Sequence, residues 1–281
     1  MTNFDPYDAF HSRAGLLFTD DEVDRLKQAV VAIAGLGGVG CIVVEMLARL
    51  GITNFRLADP ERYELTNLNR QLFATLSTLD RKKVDVTRDR ILDINPSATI
   101  SLFDQGITQD TVRPFVSGAT VVFSVADKLV PQILIHRVCE ELRTPVIKGS
   151  RSKYPGHRWE VKSTIFDYRN PTVPFEDVNN LPSRALALSE LNEAALDNVE
   201  ATFKAGMIEK LNREVSNNNY LIFRPTDPGQ HYDRFQNSPQ NISRTVCAPI
   251  PNMAGILAVI EGLKVILGWP MAERIYNLIC S

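Results

Sequence analysis

Up to about residue 165, short apolar runs alternate with longer stretches of helical periodicity. Val30-Val31-Ala32-Ile33-Ala34 is continuously apolar and β-branched, which suits a strand covered on both faces. A helix is expected from about Val39 to Leu50, with Gly51 as its stop. Phe55–Ala58 reads as a second strand and Lys82–Ile94 as a helix ended by Asn95-Pro96. Thr99–Phe103 is a third strand and Val121–Ser124 a fourth, with a helix from about Val130 to Leu142. Pro145-Val146-Ile147 opens a fifth strand. Strands separated by helices imply right-handed crossovers and a mostly parallel sheet.

Val161–Phe166 follows the turn Tyr154-Pro155-Gly156 and suits an antiparallel strand. The pattern then changes. From Asp167 to about Arg244 the chain is rich in Asn, Asp and Pro, with helical patterns at Ser183–Leu196 and near Ala201–Leu211 and a strand-like Tyr220–Phe223. Long connections of this kind are functional lids or disordered excursions. A helix at about Asn252–Leu267 and a strand at Arg274–Ile279 restore the earlier character. The expected fold is α/β: a Rossmann-like, mostly parallel sheet with helices on both faces and an inserted lid or substrate region. The division is a core with an N-terminal helical arm at 1–166, an insertion at 167–246, and a return to the core at 247–281.

Composition narrows the class. The 281 residues are 44% hydrophobic with a net charge of -2, enough for one sizeable α/β domain. No Lys/Arg block appears, so bulk charge gives a nucleic-acid partner no support. Cys41, Cys139, Cys247 and Cys280 are far apart and form no C-x-x-C pair, the usage of a reduced, cytoplasmic protein. No membrane span is expected, because the apolar stretch from Met253 to Leu267 carries Glu261 and Lys264.

Candidate chemistry begins at Gly35-Leu36-Gly37-Gly38-Val39-Gly40, between a predicted strand and a predicted helix. Gly35 suits a tight turn, while Gly37 and Gly38 let backbone approach a phosphate or ribose. Gly40 lets helix and strand pack closely. The helix N-terminus offers free N–H groups and partial positive charge. Asp59 ends the second strand, where a carboxylate accepts from ribose hydroxyls. A glycine-rich turn that merely packs is the competing reading. No P-loop pattern is present.

Hydride-transfer proteins of this architecture need a second mononucleotide half and an apolar nicotinamide pocket. Here Asn67, Asn69, Arg70, Lys82 and Lys83 follow the ribose strand instead. Arg70 and Lys83 suit the neutralisation of a triphosphate, or they are solvated surface charges. Asp127 follows the fourth strand, where it faces the ligand crevice. It suits a phosphate-bound Mg²⁺, which uses one or two protein carboxylates. It also suits the N-cap of the next helix.

The run of Gly35–Gly40, Asp59-Pro60-Glu61, Thr66-Asn67-Leu68-Asn69-Arg70-Gln71, Lys83-Val84 and Ile94-Asn95-Pro96 resembles the ThiF/MoeB/HesA family of the ubiquitin-activating-enzyme superfamily. The resemblance covers about residues 10–165 and 247–268. It implies ATP and Mg²⁺ as cofactors and adenylation of a carboxylate. Gly35, Gly37, Gly38, Gly40, Asp59, Glu61 and Asn69 would bind the nucleotide, and Asn67, Arg70 and Lys83 would position its phosphates. Asp127 falls where the family has its metal-associated aspartate. Arg13 falls where the family has an arginine that reaches the ATP of the neighbouring subunit of a homodimer. Glu61 replaces the second acidic residue of the family's D-x-D, and Lys128 stands where an asparagine often follows the aspartate. The two C-x-x-C zinc pairs of the sulfur-carrier activators are missing, so zinc is not expected.

A carboxylate with a pKa near ~3.5–4 is already a nucleophile at neutral pH, so no general base is required. The substrate class is a peptide, a ubiquitin-like protein's C-terminus or a small acid. Superfamily members that pass the acyl group to a cysteine make Cys247 the candidate acceptor; a buried structural cysteine is the alternative. Competing functions are a tRNA-modifying dehydratase that activates a nucleoside-linked carboxylate, a non-catalytic nucleotide-binding scaffold subunit and, last, a nicotinamide-dependent dehydrogenase.

Overall fold

The computed structural model describes residues 17–154, 158–170, 172, 174, 175, 187, 190, 191, 249–270 and 276–280. Helix α1 (Asp20–Gln28) starts at Thr19, whose side chain and that of Glu22 form a reciprocal capping box. Strand β1 (Val30–Ala34) leads into α2 (Gly38–Arg49), and β2 (Asn54–Ala58) into α3 (Lys83–Ile94). Then come β3 (Thr99–Phe103), α4 (Gln109–Val116), β4 (Val121–Ser124), α5 (Leu129–Leu142), β5 (Val146–Tyr154) and β6 (Arg158–Phe166). Helix α6 (Pro249–Leu267) and β7 (Tyr276–Cys280) complete the described elements.

The strands form one seven-stranded sheet in the order β3-β2-β1-β4-β5-β6-β7. The first five pair in parallel, while β6 pairs antiparallel with both its neighbours, β5 and β7. Strand β1 shows why its apolar run is unbroken. Val31 and Ile33 join one core with residues of α1, α2, α3 and α6, while Ala32 and Ala34 join another with α4 and α5. Helices therefore cover both faces, as the sequence implies. After β3 the chain crosses to the other side of β1, so β1 and β4 flank the point where strand order reverses. Crevices of open α/β sheets lie at the carboxyl ends of such strands.

Helix α2 is apolar almost all round because α6 lies against it. Gly255 makes this possible: a Cβ there would fall 2.7 Å from Ile42 Cβ. Helix α6 has the length and mean hydropathy of a membrane span, but Ala254, Ala258, Gly262 and Val265 are buried against the rest of the fold. Glu45 is the buried exception on α2. Its buried carboxylate accepts from Arg49 Nε at 2.8 Å and from Arg90 Nε and Nη2 of α3 at 2.9 and 2.8 Å.

Two helix stops match the sequence. Gly51 takes a φ of +82°, and α3 ends before Asn95, whose Nδ2 donates to the Ile52 carbonyl at 3.2 Å. Helix α4 is additional to the sequence reading: Thr108 caps it with Thr111, and Val112, Phe115 and Val116 bury one face. The expected helices at 183–196 and 201–211 and the strand at 220–223 lie outside the described residues, apart from 187, 190 and 191. The start of the insertion is anchored on α5. The Tyr168 hydroxyl accepts from Phe175 N at 3.3 Å and pairs with His136 Nδ1 at 2.9 Å. Phe175 stacks on the His136 ring at 4.2 Å. Burial, and then the Lys148 charge, hold that imidazole's pKa well below the ordinary histidine range.

Candidate nucleotide site

The carboxyl end of β1 meets those of β2 and β4 through single backbone bonds. Gly35 N donates to the Ala58 carbonyl at 2.8 Å, and Val125 N donates to the Ala34 carbonyl at 3.0 Å. Gly35 turns with φ +95°, a conformation glycine adopts without a Cβ penalty. A Cβ there would also fall 2.6 Å from Ala126 N. Gly40 is closed to any side chain, since its Cβ would lie 1.8 Å from the Gly35 carbonyl oxygen. Gly38 is packed under Pro251 of α6 and beside the Arg70 carbonyl oxygen, which would be 2.9 and 3.2 Å from a Cβ.

Gly37 differs. The single heavy atom within 4 Å of its notional Cβ is Gln71 Nε2, at 3.7 Å. Gly37 is also the N-cap of α2, with no side chain to satisfy the helix's first N–H groups. Cys41 N is the first to bond within the helix, to the Gly37 carbonyl at 3.0 Å. Gly38, Val39 and Gly40 thus contribute helix-terminal N–H groups beside open space, an arrangement suited to a phosphate.

Asp59 closes the loop from β2. Its Oδ2 accepts from Leu36 N at 2.7 Å and its Oδ1 from Glu61 N at 2.9 Å. The side chain is buried, and burial raises its pKa against the lowering influence of Lys83 and the two N–H bonds. Each oxygen keeps a lone pair that a ribose hydroxyl can use.

Residues 61–63 pair with 80–83: Tyr63 N donates to the Arg81 carbonyl and Lys83 N to the Glu61 carbonyl, both at 3.0 Å. This brings Lys83 under the site. Its Nζ donates to Glu61 Oε2 at 2.6 Å; the lysine side chain is 3% exposed and the glutamate's 55%. Lys83 is the first residue of α3, where the helix dipole opposes a cation. An ion placed against the dipole and out of water answers a need other than helix stability.

The polar segment serves two roles at once. Asn67 is buried, and its Oδ1 accepts from Glu64 N at 3.2 Å, closing the short 3₁₀ turn Leu65–Asn67. Asn69 is exposed, and its Oδ1 accepts from Arg70 Nη1 at 3.0 Å; the same Nη1 donates to the Thr66 carbonyl. Asp59, Glu61 and Lys83 therefore touch in sequence, and the Arg70-Gln71 turn lies against Gly37 and Gly38. Asp127 is exposed in the loop after β4, and the N-cap of α5 is Lys128, which removes the capping reading of Asp127. No group of three or more His, Cys, Asp or Glu forms a metal cluster among the described residues. A single carboxylate fits a divalent cation that nucleotide phosphates bring with them. Arg13 and Cys247 lie outside the described residues.

Two polar residues have no role in the sequence reading, although Gln71 closes the Thr66–Gln71 motif. Gln71 is buried over Gly37 with its Oε1 unpartnered, and Gln132 reaches back from α5 to the loop before Asp127. Cys41 is buried beside the loop. Its Sγ donates to the Leu36 carbonyl at 3.2 Å and lies 3.4 Å from the Tyr63 hydroxyl. Burial pushes its thiol up to about 11, so it is inert rather than nucleophilic.

An open α/β sheet with a glycine loop and a buried aspartate at its switch point is the architecture of a nucleotide-binding protein. The ThiF family profile matches residues 11–279, and the chain belongs to the ThiF family. It is similar to the tRNA threonylcarbamoyladenosine dehydratase of Bacillus subtilis (strain 168), with 32% identity over 163 residues. That match covers 57% of this chain and 64% of the other, so the chain spans less than two thirds of that relative. Similarity to the molybdopterin-synthase adenylyltransferase of Salmonella typhimurium is 28% over 185 residues, covering 66% of this chain and 69% of that one. Among solved structures, the E. coli tRNA N6-threonylcarbamoyladenosine dehydratase in complex with ATP superposes with a TM-score of 0.50 at 26% identity. The superposition covers 53% of this chain and 63% of that chain.

Proposed function

We propose that this chain is an ATP- and Mg²⁺-dependent adenylyltransferase that activates a carboxylate as acyl-AMP and releases pyrophosphate. The observation that carries the reading is the junction at Gly37. Open space, unused helix N–H groups and the flanking Asp59 and Lys83 meet at the switch point of a ThiF-family fold. The carboxylate is the nucleophile. Its oxygen bonds to the α-phosphorus as the bond from that phosphorus to the bridging oxygen breaks, and pyrophosphate departs with the electron pair. The protein's work is alignment and charge neutralisation.

Asp59 holds the ribose, and the first turn of α2 holds phosphate. Lys83 exchanges Glu61 for the nucleotide's negative charge, while Arg70, Asn67 and Asn69 steady the departing phosphates. Asp127 would hold Mg²⁺, which supplies charge neutralisation at the phosphates when bound. A homodimer places Arg13 of one subunit at the nucleotide of the other. Residues 167–246 select the acyl substrate: a peptide, a ubiquitin-like protein or a small acid.

Exchange of labelled pyrophosphate into ATP, dependent on an added carboxylate, tests this. Failure of every candidate carboxylate to support exchange, in protein that binds ATP, would refute it. The Bacillus relative favours a second reading, activation of a tRNA-linked carboxylate. Its signature is loss of one water from a modified nucleoside after incubation with tRNA and ATP. A scaffold subunit would instead bind ATP equally well with Arg70→Ala and show no turnover.

A further inference from the structure

The loop that carries Asp127 is held from two sides. Against one side lies Gly35, whose missing Cβ leaves room for Ala126 N, Ala126 Cα and Val125 C at 2.6, 2.7 and 2.8 Å from where it would stand. On the other side Gln132, in the first turn of α5, donates from Nε2 to the Ala126 carbonyl at 2.8 Å. The sheet ladder ends with Val125 N, and Gln132 takes up the carbonyl of the following residue, Ala126.

That bond makes Gln132 hard to explain as a packing residue. The Ala126 carbonyl can only accept, which fixes the amide with Nε2 toward the loop. Oε1 is then buried without a partner. An unsatisfied buried acceptor weakens a fold. Leu or Met would fill the same space without burying that oxygen, at the cost of the bond to the Ala126 carbonyl. Gln132 satisfies no N–H of its own helix either, since its Oε1 has no partner.

We propose that Gln132 is a positioning residue that fixes the Ala126–Asp127 peptide, so that the Asp127 carboxylate meets a nucleotide-bound divalent cation. The inference rests on the reading of Asp127 given under the proposed function. Partners that orient a metal ligand contribute about 10–100-fold to metal affinity.

The test uses the full chain saturated with α,β-methylene-ATP and titrated with Mn²⁺, with free Mn²⁺ read by electron paramagnetic resonance. Gln132→Met is expected to weaken Mn²⁺ binding at least tenfold. Its melting temperature and its affinity for the analogue in EDTA should match the wild type. Gln132→Glu, which keeps the shape but cannot donate, should lose as much. Asp127→Asn should also weaken Mn²⁺ binding, and adding Gln132→Met to it should change nothing more. Unchanged Mn²⁺ affinity in both Gln132 variants, with Asp127→Asn impaired, would overturn the inference alone. So would additive losses in the double variant. Unchanged affinity in Asp127→Asn would instead remove the reading of Asp127, and the inference with it.

Discussion

On the proposed reading Gly37 borders ligand space while Gly40 fills packing space in the same loop, so a pair of alanine substitutions tests the site directly. At Gly37 the backbone angles are φ -83° and ψ -151°, within reach of an L-residue, and the new methyl meets only Gln71 Nε2 at 3.7 Å. The fold should barely respond: alanine also reduces unfolded-chain entropy, so the net change is within about 1 kcal/mol. In a chain of this size that corresponds to roughly 2–4 °C in melting temperature. The methyl does occupy the approach to the helix N–H groups. Losing one charge-assisted bond to phosphate costs about 1.5–3 kcal/mol, or roughly 10–100-fold in ATP affinity. At Gly40 the methyl would stand 1.8 Å from the Gly35 carbonyl oxygen, so α2 must move with its buried Val43, Val44 and Leu47. That costs on the order of 3–5 kcal/mol. Thermal unfolding and ATP titration calorimetry on both variants give the answer. Wild-type ATP affinity in Gly37→Ala, or equal melting-temperature losses in both, would refute the assignment of Gly37 as ligand space.

Lys83→Met should lower carboxylate-dependent pyrophosphate exchange by on the order of 10²–10³, by analogy with loss of one anion-stabilising donor. Its melting temperature should move little, because Glu61 is 55% exposed and water replaces its partner. Glu45→Gln should cost about 1–2 kcal/mol at neutral pH; this is less than a fully buried pair, since Arg90 and Arg49 remain 36% and 53% exposed. Burial raises the Glu45 pKa, but Arg90 and Arg49 outweigh it and hold it below 4.5. The unfolded chain therefore takes up the proton first as pH falls, so this stabilisation is present above about pH 4.5 and lost below it. Urea denaturation across pH should show the two proteins converging in acid; a constant gap would contradict the ion-pair account. Cys41 and Cys139 should resist iodoacetamide at pH 8 until denaturant is added, because both thiols are buried with raised pKa values. Peptide mapping that finds either one alkylated in native protein would count against that burial.

Local signals were legible where one physical cause acts alone. Val30–Ala34 is apolar at every position because two helical layers cover it, and its strand bounds follow directly. Gly51 and Asn95 end helices by backbone geometry that a neighbour can hardly alter. Helix α4 was not legible: it has eight residues, contains Pro114, and is capped by a Thr-x-x-Thr pair rather than one with an acidic third residue. The roles of Gln71, although it closes the Thr66–Gln71 motif, and of Gln132 were not legible for another reason. An uncharged amide has no pattern of its own, and its meaning comes from the carbonyl or glycine that the fold brings to it. The contact of Tyr168 and Phe175 with His136 is of the same kind, since it joins the insertion to a helix more than thirty residues earlier.

The competing readings of the motif residues prove not to be exclusive, and the reason is physical. Gly35 and Gly40 are needed for packing because helix and strand approach closely there, and that approach is what aims the α2 N-terminus at the crevice. Asn67 closes a turn, and that turn carries the Arg70 carbonyl and the Gln71 amide onto Gly37 and Gly38. Asp59 accepts two backbone N–H groups, which shapes the loop and orients a carboxylate for a third donor. Substituting such residues damages fold and site together and cannot tell one role from the other. Discrimination comes from positions where the fold has nothing to lose: Gly37, where space is open, Lys83, whose charge opposes its own helix dipole, and Gln132, whose amide leaves an oxygen unsatisfied. At each of these the local structure is no better, or is worse, for the residue it holds, and a ligand is the simplest physical reason for holding it.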